Sequence, residues 1–390
     1  MNILVVCQYY YPEPVRISDI CETLVTLGHH VTVITGTPNY PMGNIYPGYE
    51  AGKLSDEVLN GVRIHRCPIV PRKTGVIYRF LNYISFPVSS KKYIRSLSGD
   101  YDVVFVNQLS PVMMARAGIW YKKKYNKRMI LYCLDLWPES LCVGGIKKGS
   151  LIYKIFKNIS QKIYRESDEI LVTSRSFHIY LQDMFGIEDN KMNYLPQYAE
   201  DMFLDIKPKI QTEKFELVFA GNIGTAQNID TILDAATILK DQNIMFHIVG
   251  DGVELERMKE KAHDLAHVLF YGRKPIEEMR QFYEMADAML VTLTDDPVIS
   301  LTLPGKVQSY MAAGKAIVGA VNGETPLILA ESQGGYCGAA GDGEALAENI
   351  LKLKDSGNAE KIGMGNRNYY LQTFSKEKFM DELLSTFAVA

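Results

Sequence analysis

The chain has 390 residues, of which 47% are hydrophobic and 22% charged, and its net charge is −3. This length allows two domains with full cores, and the composition is typical of a globular protein. No apolar run approaches the roughly 18 residues of a membrane span, no signal peptide precedes the first strand, and the six cysteines lack metal-ligand spacing. We therefore expect a cytoplasmic protein with reduced thiols.

The chain opens with a strand–helix–strand unit. Residues 2–7 form a continuous apolar run typical of a buried parallel strand, residues 16–27 show helical spacing, and residues 30–35 form a second strand. Four further strands are predicted, with helical segments between them, at 61–66, 102–106, 128–133 and 169–173. This alternation predicts a doubly wound, Rossmann-like domain.

A polar stretch from residue 195 to about 213 interrupts the pattern, which then restarts. The predicted strands after it are 215–219, 245–249, 268–271, 288–292 and 316–319, with a helix at 229–239 and a final helix at 376–387. We therefore predict an α/β fold of two Rossmann-like doubly wound domains facing each other across a cleft. The expected domains are residues 1–200, residues 201–370, and a C-terminal helical segment, 371–390, that could pack back on the N-terminal domain.

Charge is distributed unevenly along the chain. Residues 1–200 contain 24 basic and 17 acidic residues, whereas the remainder contains 18 basic and 28 acidic residues. Two stretches, 58–99 and 140–165, contain no acidic residue and alternate cations with aromatic and aliphatic side chains. This pattern favours a surface that rests on anionic lipid head groups. A solvated basic face and a nucleic-acid site are the alternatives, and no nucleic-acid-binding module supports the latter.

Residues 303–315 contain a cation on the first turn of a predicted helix. Pro304 and Gly305 precede Lys306, and a small-residue run ends the helix. Backbone N–H groups, the positive end of the helix dipole and an ammonium group would then converge on one point, which suits a diphosphate. Taken alone, the segment is equally compatible with an ordinary surface lysine beside a loop.

Six motifs follow one another in a fixed order. They are Tyr-Tyr-Tyr-Pro-Glu-Pro at 9–14, Thr-Pro-Asn-Tyr-Pro at 37–41, Asp-Leu-Trp-Pro-Glu-Ser at 135–140, Gly-Asn-Ile-Gly at 221–224, Tyr-Gly-Arg-Lys at 271–274 and Leu-Pro-Gly-Lys at 303–306. In these motifs the chain resembles bacterial glycosyltransferases of family 4, which have the GT-B architecture. It is most similar to the branch that builds O-antigen and capsule repeat units and includes enzymes described as N-acetyl-L-fucosaminyl transferases.

The resemblance implies a nucleotide-sugar site in the second domain. Lys306 would be catalytic there, because it would neutralise the charge that grows on the departing diphosphate. The residues implied in donor binding are Gly221, Asn222, Gly224, Arg273, Lys274, Pro304, Gly305, Ser309 and, from the first domain, Arg16. Ser309 stands where many relatives have a ribose-binding glutamate. The basic pair that often follows the first glycine loop is missing, with Asn222 and Gln227 in its vicinity.

The resemblance also implies an acceptor site in the first domain. Asp135 follows a predicted strand and would contact the acceptor hydroxyl or the donor sugar, with a helix N-cap as the alternative. Asn39, Tyr40, Trp137 and Glu139 are assigned to the acceptor side, and Glu139 could instead be an ion-pair or capping residue. The loop at 37–50 is expected to lie over the cleft.

We therefore expect a retaining glycosyltransferase that needs no metal ion. Its donor would be a UDP sugar, its acceptor a polyprenyl-diphosphate-linked saccharide, and its location the inner face of the cytoplasmic membrane. A GT-B nucleotide-sugar epimerase and a non-catalytic partner subunit of a polysaccharide assembly are the alternatives. A nicotinamide-dependent oxidoreductase is disfavoured, because residues 8–12 lack the glycine-rich fingerprint that would follow the first strand.

Overall fold

The computed structural model describes residues 1–73, 75–143, 145–207, 209 and 212–388. The chain divides into two compact units. The first unit contains Met1–Leu195 and the C-terminal residues from Leu384, and the second contains Pro196–Leu383.

The first unit is built on an eight-stranded sheet. Its strands are β1 (Asn2–Val6), β2 (His30–Gly36), β3 (Asp56–Leu59), β4 (Val62–Cys67), β5 (Val103–Gln108), β6 (Arg128–Cys133), β7 (Glu169–Val172) and β8 (Met192–Tyr194). Their order is β3-β4-β2-β1-β5-β6-β7-β8, and every pair is parallel except β3–β4. The apolar runs predicted as strands are thus the inner strands of a doubly wound sheet, as the repeated strand–helix alternation indicates.

Helices cover this sheet. They are α1 (Ile17–Thr26), α2 (Val76–Ser96), α3 (Arg116–Tyr125), α4 (Glu139–Val143), α5 (Leu151–Glu166) and α6 (Arg175–Phe185). Local signals fix their ends: Ser150 Oγ accepts the Tyr153 N–H at the start of α5, and Gly186 ends α6 in the left-handed conformation.

The second unit is built on a six-stranded parallel sheet. Its strands are β9 (Phe215–Ala220), β10 (Ile244–Val249), β11 (Val268–Gly272), β12 (Ala288–Thr292), β13 (Ala316–Ala320) and β14 (Gly335–Gly338), in the order β11-β10-β9-β12-β13-β14. The helices are α7 (Ile229–Ile238), α8 (Leu255–Lys261), α9 (Met279–Met285), α10 (Gly305–Ala312), α11 (Glu324–Ser332), α12 (Gly343–Ser356), α13 (Ala359–Thr373) and α14 (Lys376–Ala388). Each sheet therefore has a carboxyl edge where loops gather and where ligands bind in such folds.

The last helix, α14, has contacts in the first unit near its end. The Arg128 guanidinium donates to the Thr386 carbonyl, and the rings of Phe105 and Phe387 lie 5.4 Å apart in an edge-to-face arrangement. Phe387 is 5% exposed. These contacts tie the end of α14 to β5 and β6.

None of the helices in the described part of the chain is long and apolar enough to cross a bilayer.

Candidate functional site

Two glycine loops pack together at the carboxyl edge of the second sheet. The Gly221 N–H donates to the Val249 carbonyl at 2.9 Å, and the Ile223 N–H donates to the Asp251 carbonyl at 2.9 Å. A side chain on Gly250, whose φ is +148°, would place its Cβ 1.7 Å from the Gly221 carbonyl oxygen. Glycine is therefore required there, because only its backbone allows the loops after β9 and β10 to lie this close together.

Lys306 extends beneath the first of these loops. It lies on the first turn of α10, and its Nζ donates to the Gln227 side-chain carbonyl and lies 4.0 Å from the centroid of the Phe219 ring. A Cβ on Gly221 would be 3.2 Å from this ammonium group. Burial lowers the pKa of Lys306 from its ordinary value of 10.5 to about 7. The side chain is thus half-buried beneath the loop.

A buried hydroxyl fixes α10 against β9. The Tyr310 hydroxyl accepts the Ala220 N–H at 3.0 Å and contacts the Ala220 carbonyl at 3.1 Å. Tyr310 is fully buried, so the helix that carries Lys306 is anchored directly at the end of the strand that leads into the Gly221 loop. This anchoring explains how a lysine 85 positions further along the chain reaches the loop.

A cavity of about 430 Å³ opens at this edge of the sheet. Five of the residues predicted to bind the donor line it, together with Lys306, which was predicted to be catalytic: Gly221, Asn222, Arg273, Lys274 and Ser309. The aromatic pair Phe203 and Tyr283, whose rings are 4.5 Å apart, forms part of its wall together with Ile276 and Met279. The cavity thus combines three cations and two acidic residues, Glu200 and Asp251, with an apolar wall.

Two of the cations lie on the loop after β11. Arg273 Nε is 3.7 Å from an Asp251 carboxylate oxygen, and Lys274 Nζ is 3.3 Å from Glu278. Both pairs are substantially exposed, so each contributes little to stability and can be rearranged by a ligand.

Four predicted donor residues are not among those that line the cavity. Pro304 and Gly305 begin α10 immediately before Lys306. Gly224 packs on Asn222, whose Nδ2 would be 2.6 Å from a Cβ at that position. Their roles in donor binding stay predictions, as does that of Arg16, which immediately precedes α1 in the first unit.

In the first unit, Asp135 lies just beyond the end of β6. Its Oδ2 accepts the Ser110 N–H at 2.9 Å, and its carbonyl accepts the Gln108 side-chain N–H at 2.9 Å. Burial raises the pKa of the Asp135 carboxyl, and the bonds from Ser110 and the charge of Arg72 oppose that rise. The carboxylate is thus positioned by the loop after β5 and is only partly accessible.

Two residues that we assigned to the acceptor side are internal. Trp137 and Glu139 are both 0% exposed. The Trp137 ring packs between Tyr83 and Phe156, at 5.5 Å and 5.7 Å, and the Glu139 carboxylate accepts the Tyr153 and Tyr180 hydroxyls at 2.8 Å and 2.7 Å. The expectation of direct acceptor contact is therefore corrected for these two residues, because no part of either side chain reaches solvent.

The same correction applies to Asn39. It is fully buried, and its Nδ2 donates to the Thr37 carbonyl at 2.9 Å while its Oδ1 accepts the Arg72 N–H at 2.8 Å. Tyr40 is partly exposed and lies 5.0 Å from the Tyr9 ring. Both residues are held by Glu13, whose carboxylate accepts the N–H groups of Asn39 and Tyr40 at 2.8 Å and 2.7 Å.

Sequence reasoning missed several neighbours of these groups. Phe219 lies beneath Lys306, Phe203 and Tyr283 line the cavity, and Arg72 lies near Asp135. Phe219 belongs to a strand and gave only a strand signal, and the other contacts join residues tens of positions apart. The acid-free stretch that contains Arg72 gave a general indication of charge without selecting this residue.

Within the described ranges, His, Cys, Asp and Glu side chains do not form a group of three that could hold a metal ion. The Asp296 carboxylate accepts the N–H groups of Val298 and Ile299 at 2.8 Å and 3.0 Å, as in a turn.

Comparisons with known proteins agree with this architecture. Residues 15–197 match the model of Glycosyltransferase Family 4, and residues 214–356 match that of Glycosyl transferases group 1. WbjE of Pseudomonas aeruginosa, named as a glycosyltransferase, is 25% identical over 76% of this chain and 77% of its own length. WcaI of Escherichia coli (strain K12), whose name assigns it to colanic acid biosynthesis, is 24% identical over 80% of this chain and 82% of its own.

Solved structures show the same fold. Sucrose-phosphate synthase from Thermosynechococcus elongatus has a TM-score of 0.76 at 15% identity, covering 99% of this chain and 98% of its own. HepE of Anabaena, solved in complex with UDP, has a TM-score of 0.73 at 13% identity and full coverage of both chains.

The two matching family models together span most of the chain, and the two parallel-sheet units are the Rossmann-like domains of the GT-B fold. The protein is therefore an enzyme of the glycosyltransferase class and belongs to glycosyltransferase family 4.

Proposed function

We propose that this enzyme transfers a sugar from a UDP-linked donor to a polyprenyl-diphosphate-linked saccharide during O-antigen or capsule assembly, with retention of configuration. The sugar would be an N-acetylated amino sugar. The observation that carries the proposal is the cavity of the second unit, where Lys306, Arg273 and Lys274 surround a glycine loop beside an aromatic wall. The complexes of HepE with UDP and UDP-glucose, and the colanic acid assignment in the name of WcaI, support the choice of donor and pathway.

The chemistry needs stabilisation of a leaving group more than a strong protein base. In front-face transfer the bond from the sugar to the diphosphate breaks, the acceptor oxygen bonds to the same face, and its proton passes to the departing phosphate oxygen. Lys306 and the N–H groups at the start of α10 would stabilise the growing negative charge. Asp135 would orient the acceptor hydroxyl through its partly exposed carboxylate.

The donor assignment is tested by thermal shift with UDP-glucose, UDP-N-acetylglucosamine and GDP-mannose. We expect protection by the UDP sugars, because a ligand at 100 times its Kd stabilises the folded state by about 2.7 kcal/mol. Lys306→Ala should weaken UDP binding about 10- to 100-fold, the value of a charged contact to phosphate.

A matched control for this variant is Lys352→Ala. Lys352 also lies over an aromatic ring, 4.3 Å from the centroid of Tyr336, but is not among the residues that line the cavity. It should leave UDP affinity unchanged. Equal UDP affinity in the wild type and Lys306→Ala would reject the donor site.

We also propose that the first unit binds the cytoplasmic membrane through an apolar and basic surface, here called the α2–α5 surface. Five exposed apolar residues follow one face of α2 at helical spacing: Ile77, Phe80, Leu81, Ile84 and Val88. Three more, Leu151, Ile152 and Ile155, are exposed at the start of α5. Both helices pack on the buried Trp137 ring, through Tyr83 and Phe156.

Cations lie on the same helices. Lys92 and Arg95 are exposed near the end of α2, and Lys154 is exposed on α5. Apolar side chains beside lysine and arginine are typical of surfaces that insert shallowly into anionic bilayers. The enzyme would thereby act at the inner face of the cytoplasmic membrane, where a polyprenyl-linked acceptor is presented.

Vesicle co-sedimentation tests the α2–α5 surface. Replacing Lys91, Lys92 and Arg95 by Gln should lower binding to phosphatidylglycerol vesicles, since each cation near an anionic surface contributes about 1 kcal/mol. Phe80→Ser should lower binding as well, whereas Ile179→Ser, a change at an exposed apolar residue of α6, should not. If all variants bind the vesicles as tightly as the wild type does, the α2–α5 surface is exposed to water and does not bind the membrane.

A further inference from the structure

Arg72 lacks the kind of ion pair that two other arginines of the first unit form. Arg66 is 2.5 Å from the Glu57 carboxylate, and Arg128 is paired with Glu169. Among the described residues, no carboxylate lies within ion-pair distance of Arg72. Its guanidinium is half-buried and retains a positive charge that no neighbouring acid neutralises by direct contact.

The backbone of Arg72 is nevertheless held firmly. Its N–H donates to the side-chain oxygen of the fully buried Asn39 at 2.8 Å. A Cβ on Gly43, whose φ is +74°, would lie 2.5 Å from the Arg72 carbonyl oxygen, so this glycine allows the loop after β2 to pack directly on the Arg72 backbone. The position is therefore fixed by two contacts with the loop after β2 before any ligand arrives.

The guanidinium lies among tyrosines. Its carbon is 5.9 Å from the centroid of the Tyr40 ring, and the Tyr9 hydroxyl lies close enough to help keep the pKa of the guanidinium high against the effect of burial. The rings of Tyr9 and Tyr40 are 5.0 Å apart. Tyrosine hydroxyls and ring faces orient a guanidinium without neutralising it, which leaves its remaining N–H groups for an anion.

The location of Arg72 matches that of Asp135. Tyr9, Tyr40, Arg72 and Asp135 follow β1, β2, β4 and β6, which are parallel strands whose carboxyl ends share one edge. Burial raises the pKa of the Asp135 carboxyl and that of Tyr83, and the charge of Arg72 opposes both rises, as a cation at the same sheet edge would.

We infer that Arg72 binds a phosphate group of the acceptor's diphosphate while Asp135 contacts its reacting hydroxyl. The inference rests on the proposed function. A guanidinium fork binds phosphate in a bidentate manner, which a lysine cannot reproduce. In a sugar diphosphate lipid, the diphosphate and the free hydroxyls lie on different carbons of one ring. A cation and a carboxylate at one sheet edge suit that arrangement.

The test measures binding of farnesyl diphosphate, a soluble prenyl diphosphate, by calorimetry in the presence of saturating UDP. UDP occupies the donor site, so that the prenyl diphosphate reports the remaining phosphate site. We expect Arg72→Gln to weaken farnesyl diphosphate binding at least tenfold and Arg72→Lys to weaken it less, because the charge remains without the fork. Affinity for UDP alone should stay within twofold of the wild type.

Arg63→Gln is the matched control. Arg63 is exposed near the start of β4, at the opposite end of the strand from Arg72, and its loss removes the same charge from the same unit. It should leave farnesyl diphosphate binding unchanged. Equal losses in both variants would show a general effect of charge and overturn the inference.

Two further outcomes also overturn it. The first is that Arg72→Gln binds farnesyl diphosphate as tightly as the wild type does, or that the wild type does not bind it. The second is a tenfold loss of UDP affinity in Arg72→Gln, which would assign Arg72 to the donor. If the donor-site proposal is wrong, Lys306→Ala will bind UDP as tightly as the wild type does. That result would not affect the comparison of Arg72→Gln with Arg63→Gln. Unfolding curves for Arg72→Gln and Arg72→Lys verify that both variants are folded.

Discussion

At the scale of single residues, Lys306 is placed where a lysine is costly. Its ammonium group has the Gln227 amide and the Phe219 ring as neighbours, and no carboxylate of the described residues lies within ion-pair distance of it. A half-buried cation without a counterion lowers the stability of the folded state until a ligand supplies negative charge. A diphosphate would supply that charge, so the same feature that weakens the empty protein favours donor binding.

This cost predicts the effect of Lys306→Met on stability. Because burial lowers the pKa of Lys306 from 10.5 to about 7, the unfolded chain binds this proton more tightly between those two pH values. The loss of folding stability caused by burying this charge is therefore complete below pH 7 and disappears as the pH rises towards 10.5. We expect Lys306→Met to be more stable than the wild type at pH 6, by about 2 kcal/mol, with a difference that shrinks by pH 10. Urea unfolding at both pH values measures it, and a pH-independent difference would contradict it.

Glu139 leads to a second prediction at this scale. Its carboxylate accepts the Tyr153 and Tyr180 hydroxyls, and Lys148 Nζ is 3.4 Å away. Glu139→Ala should lower the free energy of unfolding by about 3 kcal/mol, because two buried hydroxyls lose their acceptor. Glu139→Gln retains an acceptor oxygen and should cost less.

The control for this prediction is Glu188→Ala. Glu188 is exposed and lacks an ion pair among those of the described residues, so the change should alter stability by less than about 0.5 kcal/mol. UDP affinity should be unchanged in all three variants. A loss of UDP binding in Glu139→Gln, with stability retained, would argue against a purely internal role.

Sequence could predict which residues line the cavity of the second unit better than it could predict which predicted acceptor-side residues are accessible. Gly221 and Lys306 carry local signals, a glycine turn after a strand and a cation after a Pro-Gly breaker. Trp137 and Glu139 lie next to Asp135 in the chain, but their side chains point into the packing of α2, α5 and α6. Proximity in sequence therefore suggested a shared role that burial rules out.

At the scale of elements, continuous apolar runs predicted the inner strands well. The strands β3, β8 and β14 were not predicted, and each has three or four residues at or near a sheet edge. β3 alternates exposed and half-buried residues and pairs antiparallel with β4, so its apolar signal is weak. Whether such a short segment becomes an edge strand depends on the neighbour it pairs with, and the local sequence pattern does not contain that information.

The packing of the two glycine loops gives an element-scale prediction. Gly250→Ala would place a methyl group 1.7 Å from the Gly221 carbonyl oxygen, and backbone would have to move to relieve the clash. We expect a loss of more than about 3 kcal/mol of stability, together with loss of UDP binding.

Gly357→Ala provides the comparison. Gly357 also has a positive φ, +62°, but a Cβ there would meet nothing within 4 Å. Gly357→Ala should lower the free energy of unfolding by about 1 kcal/mol, from backbone strain alone, and should leave UDP affinity unchanged. Similar losses at both positions would mean that strain, not loop packing, dominates at Gly250. Chemical denaturation and UDP calorimetry measure the two effects.

At the scale of the whole molecule, the two parts of the chain carry net charges of opposite sign. The basic surplus lies in the first 200 residues and the acidic surplus in the remainder. The acid-free stretches contribute to α2 and α5, where exposed apolar residues also lie. Net charge alone, at −3, would not have indicated an anionic partner.

The end of α14 gives a prediction at this scale. Removal of the residues from Leu384 onward takes away Phe387, which packs on Phe105, and the carbonyl of Thr386, which accepts from Arg128. We expect this truncation to lower the unfolding midpoint of the first unit, as loss of a buried phenylalanine costs about 3 kcal/mol.

The single variant Phe387→Ala should reproduce most of that loss, and Phe387→Leu only part of it. UDP should still protect the second unit in each variant, because none of the residues that line its cavity comes after Ser309 in the sequence. Calorimetric scans with and without UDP measure both effects. An unchanged midpoint in the truncated protein would show that the end of α14 contributes nothing to the first unit.

Because the polypeptide returns to its first unit at Leu384, the second unit is an insertion with two covalent connections, after Leu195 and after Leu383. A chimera designed to exchange donor specificity with another family member therefore needs two crossover points. A single junction near residue 195 would import a foreign C-terminal tail and mismatch it with Phe105 and Arg128. Recombination that preserves the native residues from 384 onward should yield soluble hybrids more often than simple end-to-end fusion.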